Sequence, residues 1–180
     1  MRLFVGVGLD KEMRGALWAA AEGARKLFPG RYADQDNYHI TLQFIGQAEE
    51  AAVPGIKGAI AEAATGTEPF SIALDGLSYF RRPQDAVLFC GLKEAPPLER
   101  LALDVRQELK KAGVPLEEEN FHPHITLARQ ARIDPYALAQ VRVAAAFQQV
   151  REVTLFESRR VMERLRYMPL YVCPLEKSGT

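Results

Sequence analysis

The stretch FHPHITLAR, residues 121–129, contains a tetrapeptide that occurs twice in this chain. The same four residues, HITL, stand at 39–42 within NYHITLQFIG and at 124–127. The chain has only three histidines, and two of them open these copies, 85 positions apart. Each copy follows a strand and a helix and precedes a helix and a strand. The sequence therefore predicts an internal duplication.

Hydrophobic periodicity assigns the elements of the two repeats. The predicted strands of the first repeat are 3–9, 38–45 and 69–76, and its helices are 13–27 and 49–64. The second repeat has predicted strands at 86–92, 121–128 and 150–157, and predicted helices at 97–112 and 134–145. One further strand is predicted at 169–173.

These elements predict one domain, 1–180, made of two similar lobes. The lobes cover roughly 1–78 and 85–157, and the strand at 169–173 is added to them. The connecting segment FRRPQDA, residues 80–86, is too short to separate independent domains. A pseudo-two-fold axis between the lobes would bring equivalent positions face to face.

Composition limits the classes of function. The 180 residues include 23 Lys+Arg and 23 Asp+Glu, so the formal net charge is zero. Proteins that coat long duplex nucleic acid usually carry a basic excess, so a nucleic-acid partner here should be small or contacted at a local patch. The chain contains no run of about 20 apolar residues that could cross a bilayer. Cys90 and Cys173 lie in apolar strand-like runs and predict buried free thiols in a reducing cytoplasm.

The repeated motif places polar side chains on one face of each strand, because alternate residues of a strand point the same way. His39, Thr41 and Gln43 therefore share a face in the first copy, and His124 and Thr126 share one in the second. The opposite faces are apolar and can pack under helices. The polar faces are left to line a groove or to be satisfied by internal hydrogen bonds.

The pairing of histidine with threonine suits phosphoryl chemistry. An imidazole, with an unperturbed pKa of about 6.5, gives or takes a proton near neutral pH. A threonine two residues later offers a hydroxyl donor to the same phosphate. Two facing copies would supply a base, an acid and two donors around one phosphorus, which is the set that hydrolysis of a cyclic phosphodiester needs.

The sequence resembles the 2H phosphoesterase superfamily, which is named for two His-x-Thr/Ser motifs. Within it, the chain is similar to the RNA 2′,3′-cyclic phosphodiesterases, also called 2′-5′ RNA ligases (LigT-like). The similar segments are MRLFVGVGLDKEMR, NYHITLQFIG, FHPHITLAR and VTLFESR, so that the resemblance spans nearly the whole chain. It implies a bilobal α+β fold in which two mainly antiparallel β-sheets face a central cleft, with helices outside and one motif per lobe.

The resemblance also implies an activity and a role for each motif residue. The activity is hydrolysis of an RNA terminal 2′,3′-cyclic phosphate to a 2′-phosphate, with reversible 2′-5′ ligation of tRNA halves. His39 matches the general acid, His124 the base, and Thr41 and Thr126 the phosphate donors. We expect a cytoplasmic monomer that needs neither a metal nor another cofactor and has no membrane partner.

Three further residues are weaker candidates. Arg129 matches the arginine that ends the family's second motif, although strict alternation puts it on the face opposite His124. Phe80 could stack on a base and Arg82 could meet a phosphate, or both could belong to a surface turn. The arginine-rich segment 159–166 is expected to be a loop that is either simply solvated or a basic lip for RNA.

Two other kinds of function remain open at this point. His39, His122 and His124 could form a three-histidine zinc site with an open water position, as in a metallohydrolase. This alternative leaves both threonines unexplained. The chain could also be a non-catalytic module that binds RNA ends or nucleotides on the same fold.

Overall fold

The structure is a computed structural model that describes residues 1–177. Its strands are β1 (Arg2–Gly8), β2 (Arg31–Tyr32), β3 (His39–Gln47), β4 (Phe70–Arg81), β5 (Ala86–Leu92), β6 (His124–Ala131), β7 (Phe147–Val150), β8 (Glu152–Val161) and β9 (Arg164–Pro174). Its α-helices are α1 (Lys11–Arg25), α2 (Val53–Ala64), α3 (Pro96–Lys111) and α4 (Pro135–Leu138).

The strands form two antiparallel sheets, and three strands of one sheet correspond to three strands of the other. The first sheet has the order β3-β1-β8-β9, and the second has the order β2-β6-β5-β4-β7. The trio β3-β1-β8 is therefore the counterpart of β6-β5-β4. This α+β architecture confirms the predicted fold class, with one His-Ile-Thr-Leu strand in each sheet.

The lobes were expected to be the contiguous ranges 1–78 and 85–157, but neither sheet takes its strands from one of these ranges alone. β4 comes from the first range but pairs with β5 in the second sheet, while β8 comes from the second range and pairs with β1 in the first. The physical reason is local, since a tight turn joins β4 directly to β5, with the Arg82 amide donating to the Asp85 carbonyl at 2.9 Å. Each sheet thus contains strands from both repeats.

The helices cover the faces of the sheets that carry apolar side chains. Asp10 caps α1, because its Oδ1 accepts a hydrogen bond from the Met13 amide at 2.9 Å. The buried side of α1 carries Met13, Leu17, Ala20, Ala21 and Ala24. The helices α2 and α3 pack against each other and against the sheets. Within residues 1–177, no helix has the length and apolar character that a membrane span requires.

Several predicted elements differ in extent from the observed ones, and three of the differences are large. The helix predicted for 134–145 is only the short α4, because β-branched Val141 and Val143 favour extended backbone and the chain then pairs β7 with β4. The strand predicted from 121 begins at His124. The segment predicted as a loop at 159–166 forms the ends of β8 and β9, which join through Met162 and Glu163 at φ 49° and 64°.

Candidate active site

The first motif lies at the start of β3, on the edge of its sheet. His39 is opposite Gly8 and Thr41 is opposite Gly6 on β1. A Cβ atom added at Gly6 would lie 2.6 Å from the carbonyl oxygen of Ile40. Only glycine therefore lets β1 approach the motif strand this closely.

The second motif lies at the start of β6, in the same relation to β5. His124 is opposite Gly91, and Thr126 is opposite Phe89. Ile125 and Leu127 are fully buried in the core, whereas His124 and Thr126 are only half-buried. The polar faces of both copies are therefore turned away from the core, as the alternation predicted. The motif strands β3 and β6 also contact one another, although they belong to different sheets.

A β-bulge follows each motif and reverses the alternation. Between Thr41 and Gln43, β3 advances by two residues while its partner β1 advances by one. Between Thr126 and Ala128, β6 likewise advances by two residues while its partner β5 advances by one. A bulge of this kind adds one residue and turns the following side chains to the other face.

The bulges correct two predictions about faces. Gln43 does not share the face of His39, because its Oε1 accepts a hydrogen bond from Arg106 of α3 at 2.9 Å. Phe44 instead lies on the side of His39, with its ring 6.1 Å from the ring of Phe4, which itself contacts His39. The equivalent bulge on β6 places Arg129 on the side of His124. Its charge lowers the pKa of both His39 and His124.

The imidazole of His39 is held through both of its nitrogens. Nδ1 lies 2.7 Å from the Asn37 carbonyl oxygen, and Nε2 lies 2.8 Å from the Thr41 hydroxyl. A carbonyl only accepts hydrogen bonds, so Nδ1 carries the proton and Nε2 of the neutral ring accepts from Thr41.

Three aromatic rings surround His39. The ring centroids of Phe4 and Tyr167 lie 4.8 Å from the imidazole centroid, and that of Phe156 lies 6.2 Å away. This burial lowers the pKa of His39 to about 4, against the opposing effect of the hydrogen bond to Asn37. The charge of Arg129, and that of His124 when it is protonated, lower the pKa of His39 further.

His124 has the same tautomer in a more open setting. Its Nδ1 lies 2.6 Å from the carbonyl oxygen of His122, so that Nδ1 again donates to the backbone two residues earlier. Within residues 1–177 the Thr126 hydroxyl makes no bond to Nε2 of His124, unlike its counterpart in the first motif. Burial lowers the pKa of His124 as well, and the charges of His122 and Arg129 add to this effect.

A network not anticipated from the sequence holds the loop before His39. The Asn37 side chain donates to the Leu165 carbonyl oxygen at 2.9 Å, while its own carbonyl accepts from His39. Arg166 forms an ion pair with Asp34 at 3.3 Å. The β8–β9 hairpin therefore fixes the segment that orients the first imidazole. Only the nearness of Asn37 to the motif could have marked it in the sequence.

Phe80 and Arg82 have different surroundings. Phe80 stacks on Phe89 at 4.2 Å and meets His124 edge-on at 5.1 Å, so it packs against the second imidazole. Arg82 is exposed and lines a groove of about 490 Å³ at the β4–β5 turn. Neither His39 nor His124 lines this groove, so Arg82 lies outside the immediate surroundings of the two imidazoles.

The arginines of segment 159–166 are divided between structural pairs and exposed positions. Arg159 bonds to Glu157 at 2.6 Å, and Arg166 forms the ion pair described above. Arg160 and Arg164 are exposed near the hairpin tip, and no carboxylate of residues 1–177 lies within ion-pair distance of either.

The alternative zinc site is not formed by the described part of the chain. Among residues 1–177, no three His, Cys, Asp or Glu side chains are grouped so that they could hold a metal. His39 directs both ring nitrogens to protein partners, and His122 packs its ring against Phe80 and Phe89. The three histidines therefore do not converge as ligands.

Comparisons with known proteins agree with this geometry. A family model described as the 2′-5′ RNA ligase superfamily matches residues 14–161. Two similar proteins are named RNA 2′,3′-cyclic phosphodiesterase. The protein from Geobacillus stearothermophilus is 31% identical over 98% of this chain, and the matched region covers 59% of that longer protein. The protein from Escherichia coli (strain K12) is 30% identical, and the match covers 94% of this chain and 93% of the relative. The crystal structure of a Thermus thermophilus protein superposes with a TM-score of 0.80 at 27% identity, over 100% of both chains. The chain therefore belongs to the 2′-5′ RNA ligase superfamily of 2H phosphoesterases.

Proposed function

We propose that this chain hydrolyses the 2′,3′-cyclic phosphate at an RNA end to a 2′-phosphate. The observation that carries the proposal is the equivalence of the two half-sites. The imidazoles begin corresponding strands of the two sheets, and both donate Nδ1–H to the backbone carbonyl two residues earlier. In each ring the backbone bond engages Nδ1, so that Nε2 is the nitrogen for proton transfer, in His39 once Thr41 releases it. The name of the relatives, RNA 2′,3′-cyclic phosphodiesterase, supports the choice of substrate.

The reaction needs one proton acceptor and one proton donor. Nε2 of His124 takes a proton from water, whose oxygen bonds to phosphorus. The bond from phosphorus to the ribose 3′ oxygen breaks, and that oxygen receives a proton from Nε2 of His39. One water is consumed, His124 ends protonated and His39 ends neutral, and proton exchange with solvent restores both.

His39 must gain a proton before it can act as the acid. Burial holds its pKa at about 4 in the free protein, so that the ring is neutral near pH 7. A bound phosphate places a negative charge beside the imidazole, and an opposite charge raises the pKa of a histidine. Substrate binding thus supplies the condition for the acid role.

The hydroxyls and the arginine hold the phosphate. Thr41 and Thr126 donate to its non-bridging oxygens, and Thr41 exchanges its bond to His39 for one to the substrate. Arg129 acts on both imidazoles and stabilises the negative charge that develops on the phosphate oxygens. Arg82 and the exposed part of Phe80 are proposed contacts for the RNA that leads to the site.

Ligation uses the same chemistry with a different nucleophile. The 5′ hydroxyl of a second RNA takes the place of water, gives its proton to His124 and bonds to phosphorus. The ribose 3′ oxygen leaves with a proton from His39, so that the phosphate joins the 2′ oxygen to the new 5′ oxygen. tRNA halves are proposed partners of this reversible reaction, with the chain acting as a cytoplasmic monomer. The family description, 2′-5′ RNA ligase superfamily, supports this extension.

The test uses His39→Ala, His124→Ala and the unchanged chain on RNA ending in a 2′,3′-cyclic phosphate, with EDTA present. Each substitution should lower turnover by roughly 10²–10⁴, the usual scale for a lost acid or base. Gln35→Ala is the control, because Gln35 is exposed and precedes the motif on a separate turn. Near-normal turnover by either histidine variant would contradict the two-histidine mechanism. Loss of activity with EDTA alone would favour a metal-dependent reaction.

A further inference from the structure

The β8–β9 hairpin reaches from the edge of its sheet to the surroundings of the first imidazole. On β9, the ring of Tyr167 lies 4.8 Å from the ring of His39. Burial raises the pKa of Tyr167, and the charge of Arg129 on the other motif strand opposes this effect. Nearer the turn, the carbonyl of Leu165 accepts the hydrogen bond from the Asn37 side chain at 2.9 Å. The hairpin is therefore held next to the site, with its tip at the rim.

Two arginines at the tip of this hairpin have no carboxylate partner in the part of the chain that the structure describes. Arg160 and Arg164 are both exposed, and no ion pair joins either of them to an Asp or Glu of residues 1–177. Glu163 is the one acidic residue between them in the sequence, so the tip keeps an excess of positive charge. Arg164 directly precedes Leu165, so its backbone is fixed beside the segment that orients His39.

An RNA end brings more than one phosphate to this region. In the proposed function the cyclic phosphate lies between the imidazoles, and each preceding nucleotide adds one phosphodiester that must leave the site across its rim. A guanidinium matches phosphate oxygens with its planar set of donors. Because the chain has no formal net charge, its attraction for RNA depends on local groups such as these two arginines.

We propose that Arg160 and Arg164 bind the phosphates of the nucleotides that precede the cyclic end, so that the hairpin tip is a site for the body of the RNA. The inference rests on the proposed function and makes the preferred substrate an oligonucleotide rather than a mononucleotide. Contacts to phosphates carry no information about the bases. The site therefore accepts single-stranded RNA of any sequence.

The test compares cytidine 2′,3′-cyclic phosphate with a tetranucleotide that ends in the same cyclic cytidine. The unchanged chain should have the higher kcat/KM on the tetranucleotide. The double variant Arg160→Ala with Arg164→Ala should lower that kcat/KM by roughly 2- to 30-fold at low salt, which is the scale of two exposed charge contacts. Its kcat/KM on cytidine 2′,3′-cyclic phosphate should not change, because this substrate has no preceding phosphate.

The dependence on salt separates a phosphate contact from a structural effect. Each contact to a phosphate of a single strand contributes about −0.7 to the slope of log(kcat/KM) against the logarithm of the salt concentration. The double alanine variant should therefore have a slope shallower by roughly 1.4 on the tetranucleotide only. Arg160→Lys with Arg164→Lys should keep the slope, since lysine keeps the charge. Arg151→Ala is the matched control, because Arg151 is an exposed arginine just before the other end of β8.

The outcomes distinguish this inference from the proposed function. If the unchanged chain hydrolyses neither substrate, the proposed function fails. If it hydrolyses both with equal kcat/KM, or if the double alanine variant keeps the kcat/KM and the salt slope on the tetranucleotide, the hairpin tip is not an RNA site. An equal loss on both substrates would also refute the inference, because a contact to preceding phosphates affects only the longer substrate.

Discussion

Replacing Asn37 with alanine tests how the first imidazole is held in position. The substitution keeps the backbone carbonyl that accepts from His39 and removes the side-chain bond to the Leu165 carbonyl at 2.9 Å. A neutral hydrogen bond contributes about 0.5–1.5 kcal/mol net. If that bond serves to hold His39 in its reactive position, its loss raises the barrier by the same amount. At about 1.4 kcal/mol per tenfold change in rate, kcat should fall roughly 2- to 12-fold.

The assay is steady-state hydrolysis of a nucleoside 2′,3′-cyclic phosphate over a range of pH. The fall should appear in kcat with little change in KM, because Asn37 contacts His39, the proposed proton donor, rather than the phosphate. Asn37→Gln offers the same amide and should restore part of the rate if it still reaches the Leu165 carbonyl. Gln35→Ala, on the same short turn, should leave kcat unchanged. If Asn37→Ala has the kcat and pH profile of Gln35→Ala, the β8–β9 hairpin does not position His39.

The other predictions concern charge, phosphate binding and strand packing. Burial lowers the pKa of His39 from 6.5 to about 4, so the unfolded chain binds the proton more readily than the folded one. The free energy of unfolding should therefore be about 2–3 kcal/mol smaller at pH 4.5 than above pH 6.5. In urea unfolding at pH 4.5 and pH 7, His39→Gln should show a smaller difference. Thr41→Val and Thr126→Val should each lower kcat/KM by about 10- to 100-fold, since bonds to charged groups contribute about 1.5–3 kcal/mol; unchanged kinetics would rule out phosphate binding by that hydroxyl. Gly6→Ala places a Cβ atom 2.6 Å from a backbone carbonyl of β3 and should destabilise the fold by about 1–3 kcal/mol, whereas Gly58→Ala on α2, with nothing within 4 Å, should stabilise it by about 0.5–1 kcal/mol.

The sequence predicted the parts of the site that depend on local pattern. The repeated His-Ile-Thr-Leu is typical of a half-buried strand, and the structure places Ile40 and Ile125 in the core with the histidines on the opposite face. The order of elements around each copy also follows from periodicity. These features could be predicted because they depend only on the two-residue periodicity of a strand and the 3.6-residue periodicity of a helix.

The features that alternation cannot show are the bulges and the exchanged strands. A bulge inserts one residue without a sequence signal, so Gln43 and Arg129 were expected on the wrong face. The β8–β9 turn was missed because Met162 and Glu163 adopt positive φ without the glycine or asparagine that usually marks such a turn. The exchange of β4 and β8 depends on pairing across the whole fold, which no local window contains.

The exchanged strands explain why the imidazoles of the two motifs are packed against aromatic rings in the same way. His39 packs against Phe4 of its own repeat, and the stacked partner of Phe4 is Phe156 on β8, 5.1 Å away. His124 packs against Phe89, 85 positions after Phe4, and its stacked partner is Phe80 on β4.

Each imidazole thus rests on one ring from its own repeat and one ring from a strand that the other repeat supplies. A first lobe that ends at residue 78 would carry His39 without the Phe156 ring, and a second lobe that begins at residue 85 would carry His124 without the Phe80 ring. The two histidines are therefore supported only in the intact chain, because the strand exchange that joins the sheets also completes the packing of both half-sites.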